Sequence, residues 1–313
     1  MFLNYLSIFL SDGLMYSLLA MGFYVSYSTL DFPDLSVEGT VLTGGLVFSL
    51  LCNHITPYLA LVAALLAGAS SNPFCFPAKL MSWLHVKLHI RPLLCGILVS
   101  TGLISVNLVA AALINGGDLK AMGSAQVMMT GRDTLLTAFP ASLLPKVANG
   151  FYVRKLVVFL VVAALFKVLM DLFFKTKCGL LLRAAGNNAQ YVTMLGRDPG
   201  QSKILGLAIG NGYAAVAGAL IVQSRGSATQ DMGLGMIVIG LASVIIGLSL
   251  FGRIRFLRPT TRVILGSILY QACLVLASAI GLPSAYNKLL MAALFTVALV
   301  LSSIQKKGKK VAV

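Results

Sequence analysis

The chain has 313 residues, of which 58% are hydrophobic and only 11% are charged. Soluble domains carry about 25% charged residues, so the composition excludes a pair of ordinary soluble domains. The net charge of +15 does not indicate nucleic-acid binding. The basic residues form short clusters between apolar runs of about 20 residues, the length that crosses a bilayer as a helix.

Apolar segments follow one another along the whole chain and predict an all-α, polytopic transmembrane helical bundle. The second segment is short, so the prediction is eight or nine spans. The nine segments cover roughly residues 6–28, 38–53, 57–78, 93–115, 155–175, 203–223, 235–251, 263–282 and 287–304.

Lys and Arg residues are distributed unequally between the two sides that strict alternation of these spans defines. One side has 16 of the 24 basic residues and the other has seven. Because cytoplasmic loops are enriched in Lys and Arg, the richer side is predicted to be cytoplasmic. This places the basic tail 306–313 and a connector of about residues 176–203 inside, and the N-terminus and a loop of about residues 116–154 outside.

Motifs of catalysis and of ATP binding are missing from the sequence. It contains no HExxH, no GxSxG and no Walker A pattern, so ATP hydrolysis would need another chain. His85 and His89 have the spacing of two metal ligands on a helix face, but the neighbouring Lys87 and Arg91 would repel a cation. No metal site is predicted.

Three of the nine acidic residues, Asp31, Asp34 and Glu38, lie close together between the first two spans. Pro33 disfavours helical geometry in the residue before it, which predicts a break in the helix. Irregular backbone at membrane depth is tolerated where it lines protein or a wet cavity. Two interpretations stay open: a broken helix that lines a substrate path, or a cytoplasmic turn with solvated carboxylates.

Polar side chains within apolar runs are further candidates for such a path. These are Asn107, Asn211 and Gln223. Residues 31–39 and 230–235 each lead into a Gly-containing apolar run, which is typical of transporters built from internal repeats. Lys167 and Asp171 lie one helical turn apart in one span, where they either neutralise each other or form an ion relay.

The connector 176–203 predicts a short helix from about Asn188 to Leu195. Asn187 or Asn188 can cap its start, and Gly196 can end it. Val192 and Leu195 would then form a small apolar surface on the cytoplasmic side. Such a surface is typical either of a helix that transmits the movement of a partner protein or of an ordinary interfacial helix.

The residues around this connector resemble a known family. Residues 181–220, with Leu-Arg-Ala-Ala-Gly-Asn-Asn, Met-Leu-Gly and Lys-Ile-Leu-Gly-Leu-Ala, resemble the coupling region of branched-chain-amino-acid-type ABC permeases. Residues 30–39, 84–94 and 236–247 narrow the resemblance to the tryptophan/tyrosine-type uptake subgroup. The resemblance covers most of residues 10–305. It implies one permease domain over residues 1–313 in the bacterial inner membrane.

The function that this resemblance implies is that of the membrane-spanning subunit of an ABC importer for a small solute, an aromatic amino acid by family. An ion- or proton-coupled secondary transporter is the alternative. The implied partners are a second copy of the permease, ATPase subunits that bind ATP and Mg, and an extracytoplasmic solute-binding protein, with no nucleic acid. No catalytic residue or cofactor is expected on this chain.

The resemblance also assigns a role in coupling to the ATPase. The residues concerned are Gly186, Asn187, Asn188, Val192, Met194, Leu195 and Gly196. Two positions depart from the family pattern. Residues 71–77 replace a Gly-rich helical stretch, and Leu248 stands where relatives often carry Glu, which leaves the identity of the solute open.

Overall fold

The computed structural model describes most of the chain, and the features below refer to this part. It comprises residues 2–32, 34–52, 54–69, 91–114, 126–129, 134–138, 153–254, 256–279 and 286–311. The helices are α1 (Phe2–Phe23), α2 (Val37–Leu51), α3 (Pro57–Ala69), α4 (Pro92–Ile114), α5 (Leu135–Ala138), α6 (Val153–Phe173), α7 (Lys177–Asn187), α8 (Ala189–Met194), α9 (Pro199–Arg225), α10 (Met236–Leu250), α11 (Pro259–Ala279) and α12 (Asn287–Val311). Two short strands, β1 (Val127–Met128) and β2 (Ser227–Ala228), pair antiparallel.

Apolar helices coincide with all nine predicted segments, which confirms an all-α, polytopic membrane protein. Within the described residues, six helical segments are long and apolar enough to cross a membrane, and three further apolar helices are shorter. The shorter ones are Val37–Leu51, Pro57–Ala69 and Lys288–Val300. A count of eight or nine complete crossings stays a prediction. Residues 71–77, His85 and His89 lie outside the described residues.

The chain divides into two compact units. The first contains Met1–Tyr24, Ala141–Met170 and Ile237–Val313. In it, α1 packs closely on α11, where the Ser267 hydroxyl donates a hydrogen bond to the Gly13 carbonyl at 2.6 Å. The single permease domain over residues 1–313 stays a prediction.

An ion pair links α1 to α6 within the first unit. Nζ of Lys155 lies 2.9 Å from Oδ1 of Asp12, and each side chain is about one quarter exposed. Charged groups in an apolar bundle are costly unless they are paired. Both residues lie in the N-terminal halves of their helices, as expected when α1 and α6 enter the membrane from the same side.

The second unit contains Val25–Pro140 and Asp171–Met236. Its centre is α9, which is buried along most of its length and contacts both α2 and α3. Gly44 of α2 lies against the backbone of Ala215, and Gly68 of α3 lies against the carbonyl of Asn211. Small residues at these positions let the helices approach closely, which positions the polar groups described next.

Candidate functional site

The predicted break between the first two spans is present. α1 passes into a π-helical turn, Tyr24–Thr29, and none of the described residues 30–32 and 34–36 is helical before α2 begins at Val37. Asp31 has a φ of +52°, a backbone conformation that Asp tolerates better than most residues. Asp31 is exposed, but Asp34 is only 2% exposed. The interpretation of this segment as a turn with solvated carboxylates is therefore wrong for Asp34.

A buried hydrogen-bond network surrounds the Asp34 carboxylate. Its Oδ1 accepts from the amide (2.8 Å) and the hydroxyl (2.6 Å) of Ser36, and its Oδ2 accepts from Nδ2 of Asn211 (2.7 Å). Oδ1 of Asn211 in turn accepts from the Thr40 hydroxyl at 2.7 Å. Burial raises the pKa of the Asp34 carboxyl, and the hydrogen bonds from Ser36 and Asn211 act in the opposite direction. The network ties the break and the start of α2 to the middle of α9.

Glu38 joins the first turn of α2 to the segment before α10. Its Oε1 accepts a hydrogen bond from the Gly235 amide at 3.0 Å, and the Gly233 backbone lies against the Glu38 carbonyl. Gly235 has a φ of +86°, which favours glycine. The contact brings together residues 31–39 and 230–235, the two segments that resemble each other in sequence. An internal repeat of the fold stays a prediction.

Asn107 connects α4 to α2. Its Oδ1 accepts from the Thr43 hydroxyl at 2.8 Å, and its Nδ2 donates to the Gly39 carbonyl at 3.0 Å. Beside it lies a small pocket with mainly apolar walls and two amide side chains. Its lining residues are Leu42, Leu46, Asn107, Leu108, Ala111 and Gln230. Asn107 is thus held in place at the edge of a pocket.

Gln223 lies apart from these groups. Its Oε1 accepts from the Leu135 amide at 2.9 Å at the start of α5, and its Nε2 donates to the Ala219 carbonyl at 3.2 Å. The structure therefore brings Asp34 and Asn211 together, while Gln223 forms a separate contact between α9 and α5.

Hydroxyl groups that the sequence reasoning missed complete the network. Ser36, Thr40 and Thr43 all lie in or next to the first turns of α2 and bond to the predicted candidates. Their spacing could have identified them from the sequence, because three hydroxyl residues at intervals of three or four positions share one face of an otherwise apolar helix.

The predicted short helix in the connector is confirmed as α8. Asn188 is its N-cap, and its side-chain oxygen accepts from the amides of Gln190 (3.0 Å) and Tyr191 (3.3 Å). Asn187 instead ends α7. Gly196 follows the helix with a φ of +69°, as expected of a residue that ends a helix.

The exposed apolar surface of α8 is formed by Tyr191, Met194 and Leu195, which share one face at spacings of one helical turn. Met194 is 83% exposed, and the other two are each 55% exposed. The prediction that Val192 belongs to the exposed surface is wrong, because Val192 is fully buried. It lies beside the exposed face, about 100° around the helix from Tyr191, and is buried where α8 packs on α7 and α9.

The connector packs directly on the break through Gly186 of α7. A Cβ at this position would overlap the Thr29 carbonyl oxygen and approach the Leu30 Cα. Leu30 also contacts Gly206 in the third turn of α9, beside Leu182 of α7. α7 therefore joins the exposed surface of α8 to the segment that leads into the Asp34 network.

Apolar helices of spanning length, with a buried polar break and an exposed apolar connector helix, define a polytopic membrane protein. Residues 5–299 match the family described as the permease component of the branched-chain amino acid transport system. The chain belongs to this family and is the membrane permease subunit of an ABC-type importer. The match does not favour the alternative of an ion- or proton-coupled transporter.

The chain is also similar to two proteins along most of its length, and the first of them supports this assignment. The chain is 34% identical to a tyrosine transport system permease protein of Clostridioides difficile (strain R20291), over 90% of this chain and 86% of the relative. It is 27% identical to an uncharacterized protein of Rickettsia prowazekii (strain Madrid E), over 97% of this chain and 99% of the relative. No solved structure shows a significant match.

Proposed function

We propose that this permease imports an amino acid, with a preference for aromatic side chains, across the bacterial inner membrane. A separate ATPase subunit drives the import by docking on α8. The exposed face of Tyr191, Met194 and Leu195 carries the proposal, since large apolar side chains exposed together on a capped helix suit a partner protein. The aromatic preference rests on the relative named as a tyrosine permease.

A continuous series of contacts within the second unit supports a coupling mechanism. A push on α8 is transmitted through Asn188 to α7, and from Gly186 to the backbone of Thr29 and Leu30. The break is bonded through Asp34 to Asn211 on α9. Closure of the ATPase dimer on ATP thus moves the polar break, and the solute path opens to one side of the membrane at a time.

The proposed path passes the acidic break and the buried amides. Its candidate residues are Asp31, Asp34, Glu38, Asn107, Asn211 and Gln223. The buried members of this set are held by hydrogen bonds inside the protein and shape the path. The pocket beside Asn107 has a volume of about 10 Å³, which is enough for one water molecule and too small for an amino acid, so it marks an edge of the path and not the site of the solute.

The proposed assembly is a permease homodimer with ATPase subunits inside and a solute-binding protein outside. ATP and Mg²⁺ bind the ATPase, and this chain supplies no catalytic residue. The C-terminus is cytoplasmic and the N-terminus extracytoplasmic. Pairing of β1 with β2 supports the alternation of the spans, because it joins the loop 116–154 to the connector after α9, which alternation places on the same side. The excess of Lys and Arg in the other connectors supports the cytoplasmic assignment of the opposite side.

Uptake by reconstituted protein tests the function. We expect proteoliposomes with the permease, its ATPase and its binding protein to accumulate labelled tyrosine or tryptophan only when ATP is present. Liposomes that lack the ATPase are the control. Uptake that continues without the ATPase and collapses with the proton gradient would contradict the proposal.

Substitutions on α8 test the docking surface. Met194→Asp and Leu195→Asp each place a charge on the exposed apolar face, and we expect about a tenfold or greater loss of ATPase co-purification and of uptake, equivalent to ~1.4 kcal/mol of binding. Thr193→Asp is the matched control, because Thr193 is exposed on the same helix but outside that face. Equal losses in all three variants would show that charge on α8, rather than its apolar face, matters.

A further inference from the structure

Helix α7 packs at both ends on the ends of candidate membrane spans. Near its start, Gly179 lies against the backbone of Phe173, the last residue of α6 and of one candidate span. Near its end, Gly186 lies against the carbonyl of Thr29, the last residue of the first candidate span. With 11 residues, α7 is too short to cross a bilayer. Both span ends therefore lie on one side, and α7 lies along that membrane surface.

The two faces of α7 differ in character. The buried face consists of small and aliphatic residues, namely Gly179, Leu182 and Ala185. The opposite face is exposed and carries Lys177, Leu180 and Arg183. Leu180 is 57% exposed. A large apolar side chain between two cations is typical of a helix in the membrane interface, where the apolar group enters the acyl boundary and the cations stay among the headgroups.

Positive charge is concentrated at the start of α7. Residues 172–196 contain three basic residues and no Asp or Glu. Lys175 and Lys177 are both exposed and follow closely after the last residue of α6. Within the described part of the chain neither lysine forms an ion pair, not even with Asp171, which lies one helical turn before Lys175. Both amino groups are therefore accessible to a ligand at the level of the lipid headgroups.

Local contacts hold this basic segment in a defined geometry. The Thr176 hydroxyl donates to the Phe173 carbonyl at 2.7 Å and accepts from the Gly179 amide at 3.3 Å, which fixes the turn between α6 and α7. The Arg183 guanidinium lies over the Phe174 ring, with its Cζ 4.4 Å from the ring centroid. A guanidinium that contacts a ring through its face keeps its N–H groups at the edge, where their fork geometry matches phosphate.

We propose that the exposed surface at the start of α7 binds anionic phospholipids of the adjacent leaflet. This basic surface consists of Lys175, Lys177, Leu180 and Arg183. Basic residues next to a span attract anionic headgroups, and Leu180 adds an apolar contact with the acyl chains. The basic surface has one leucine among three cations and lies between the ends of two spans, whereas α8 presents a contiguous apolar face. This difference favours lipid over a protein partner at α7.

Retention of lipid by the purified full-length protein tests the proposal. We expect native mass spectrometry in detergent to show retention of added phosphatidylglycerol over phosphatidylcholine. The double variant Lys175→Gln/Lys177→Gln should lower phosphatidylglycerol retention by about tenfold, because it removes two charges. Leu180→Ser should lower it by about threefold, because it removes the apolar contact. The double variant Arg197→Gln/Lys288→Gln is the matched control, since it removes the same charge from exposed positions outside the basic surface. Far-UV circular dichroism and the elution volume show whether each variant is folded.

Three outcomes would overturn the lipid assignment. The first is equal retention of phosphatidylglycerol and phosphatidylcholine by the wild type, a result that needs no variant. The second is phosphatidylglycerol retention by the folded Lys175→Gln/Lys177→Gln variant that equals the retention by the control variant. The third is unchanged lipid retention with lost ATPase co-purification, which would identify the basic surface as a second protein-docking surface.

Discussion

Replacement of Gly186 by valine is expected to abolish ATP-driven uptake. A Cβ at this position would overlap the Thr29 carbonyl oxygen and approach the Leu30 Cα. Both are backbone atoms, so no side-chain rotation relieves the overlap, and α7 has to move away from the break. Gly186→Ala is expected to have a smaller effect in the same direction, because it adds one methyl group.

Uptake in proteoliposomes, normalised to the amount of inserted permease, measures this effect. Gly102→Ala is the matched control, because Gly102 also lies within a helix but a Cβ there meets no atom within 4 Å. We expect normal uptake for the control and normal membrane insertion for all three variants. Normal uptake by Gly186→Val would show that the contact between α7 and the break does not transmit the push from α8.

Removal of the Asp34 carboxylate is the second change with a large expected effect. Asp34→Ala removes the acceptor of the Ser36 amide and hydroxyl and one of the two acceptors of the Asn211 Nδ2 group, which keeps the Leu207 carbonyl at 3.1 Å. Leaving a buried hydrogen-bond donor without a partner costs about 1–3 kcal/mol. We expect a marked fall in thermal stability in detergent and loss of uptake.

A double-mutant cycle separates this network from general damage. If Asp34 and Asn211 act through each other, adding Asn211→Ala to Asp34→Ala should cost little more than the worse single variant, with a coupling energy of at least about 1 kcal/mol. Asp31→Asn is the control. Asp31 is exposed, Asn tolerates its positive φ as Asp does, and substitutions at such positions usually change stability by about 0.5 kcal/mol or less. Strictly additive losses of stability at positions 34 and 211 would argue against a direct link between the break before α2 and α9.

Local signals in the sequence determined the class of protein and several of its parts. Apolar runs of the length of a bilayer require helices, because lipid offers no partner to backbone N–H and C=O groups. α8 was predictable because Asn188 caps it and Gly196 ends it, and both interactions join residues close in sequence. The break before α2 was predictable from Pro33 and the acidic residues for the same reason.

Only the tertiary structure decided which side chains meet. Asp34 and Asn211 are 177 positions apart, and their contact depends on how closely α2 and α9 pack. The sequence indicates only that Gly186 lies near a helix boundary. Glycine is needed there because the Thr29 carbonyl lies so close that no Cβ fits. Val192 was misplaced because its short helix has few residues to define an apolar face. Contacts between distant residues arise from helix packing, which periodicity and local capping do not encode.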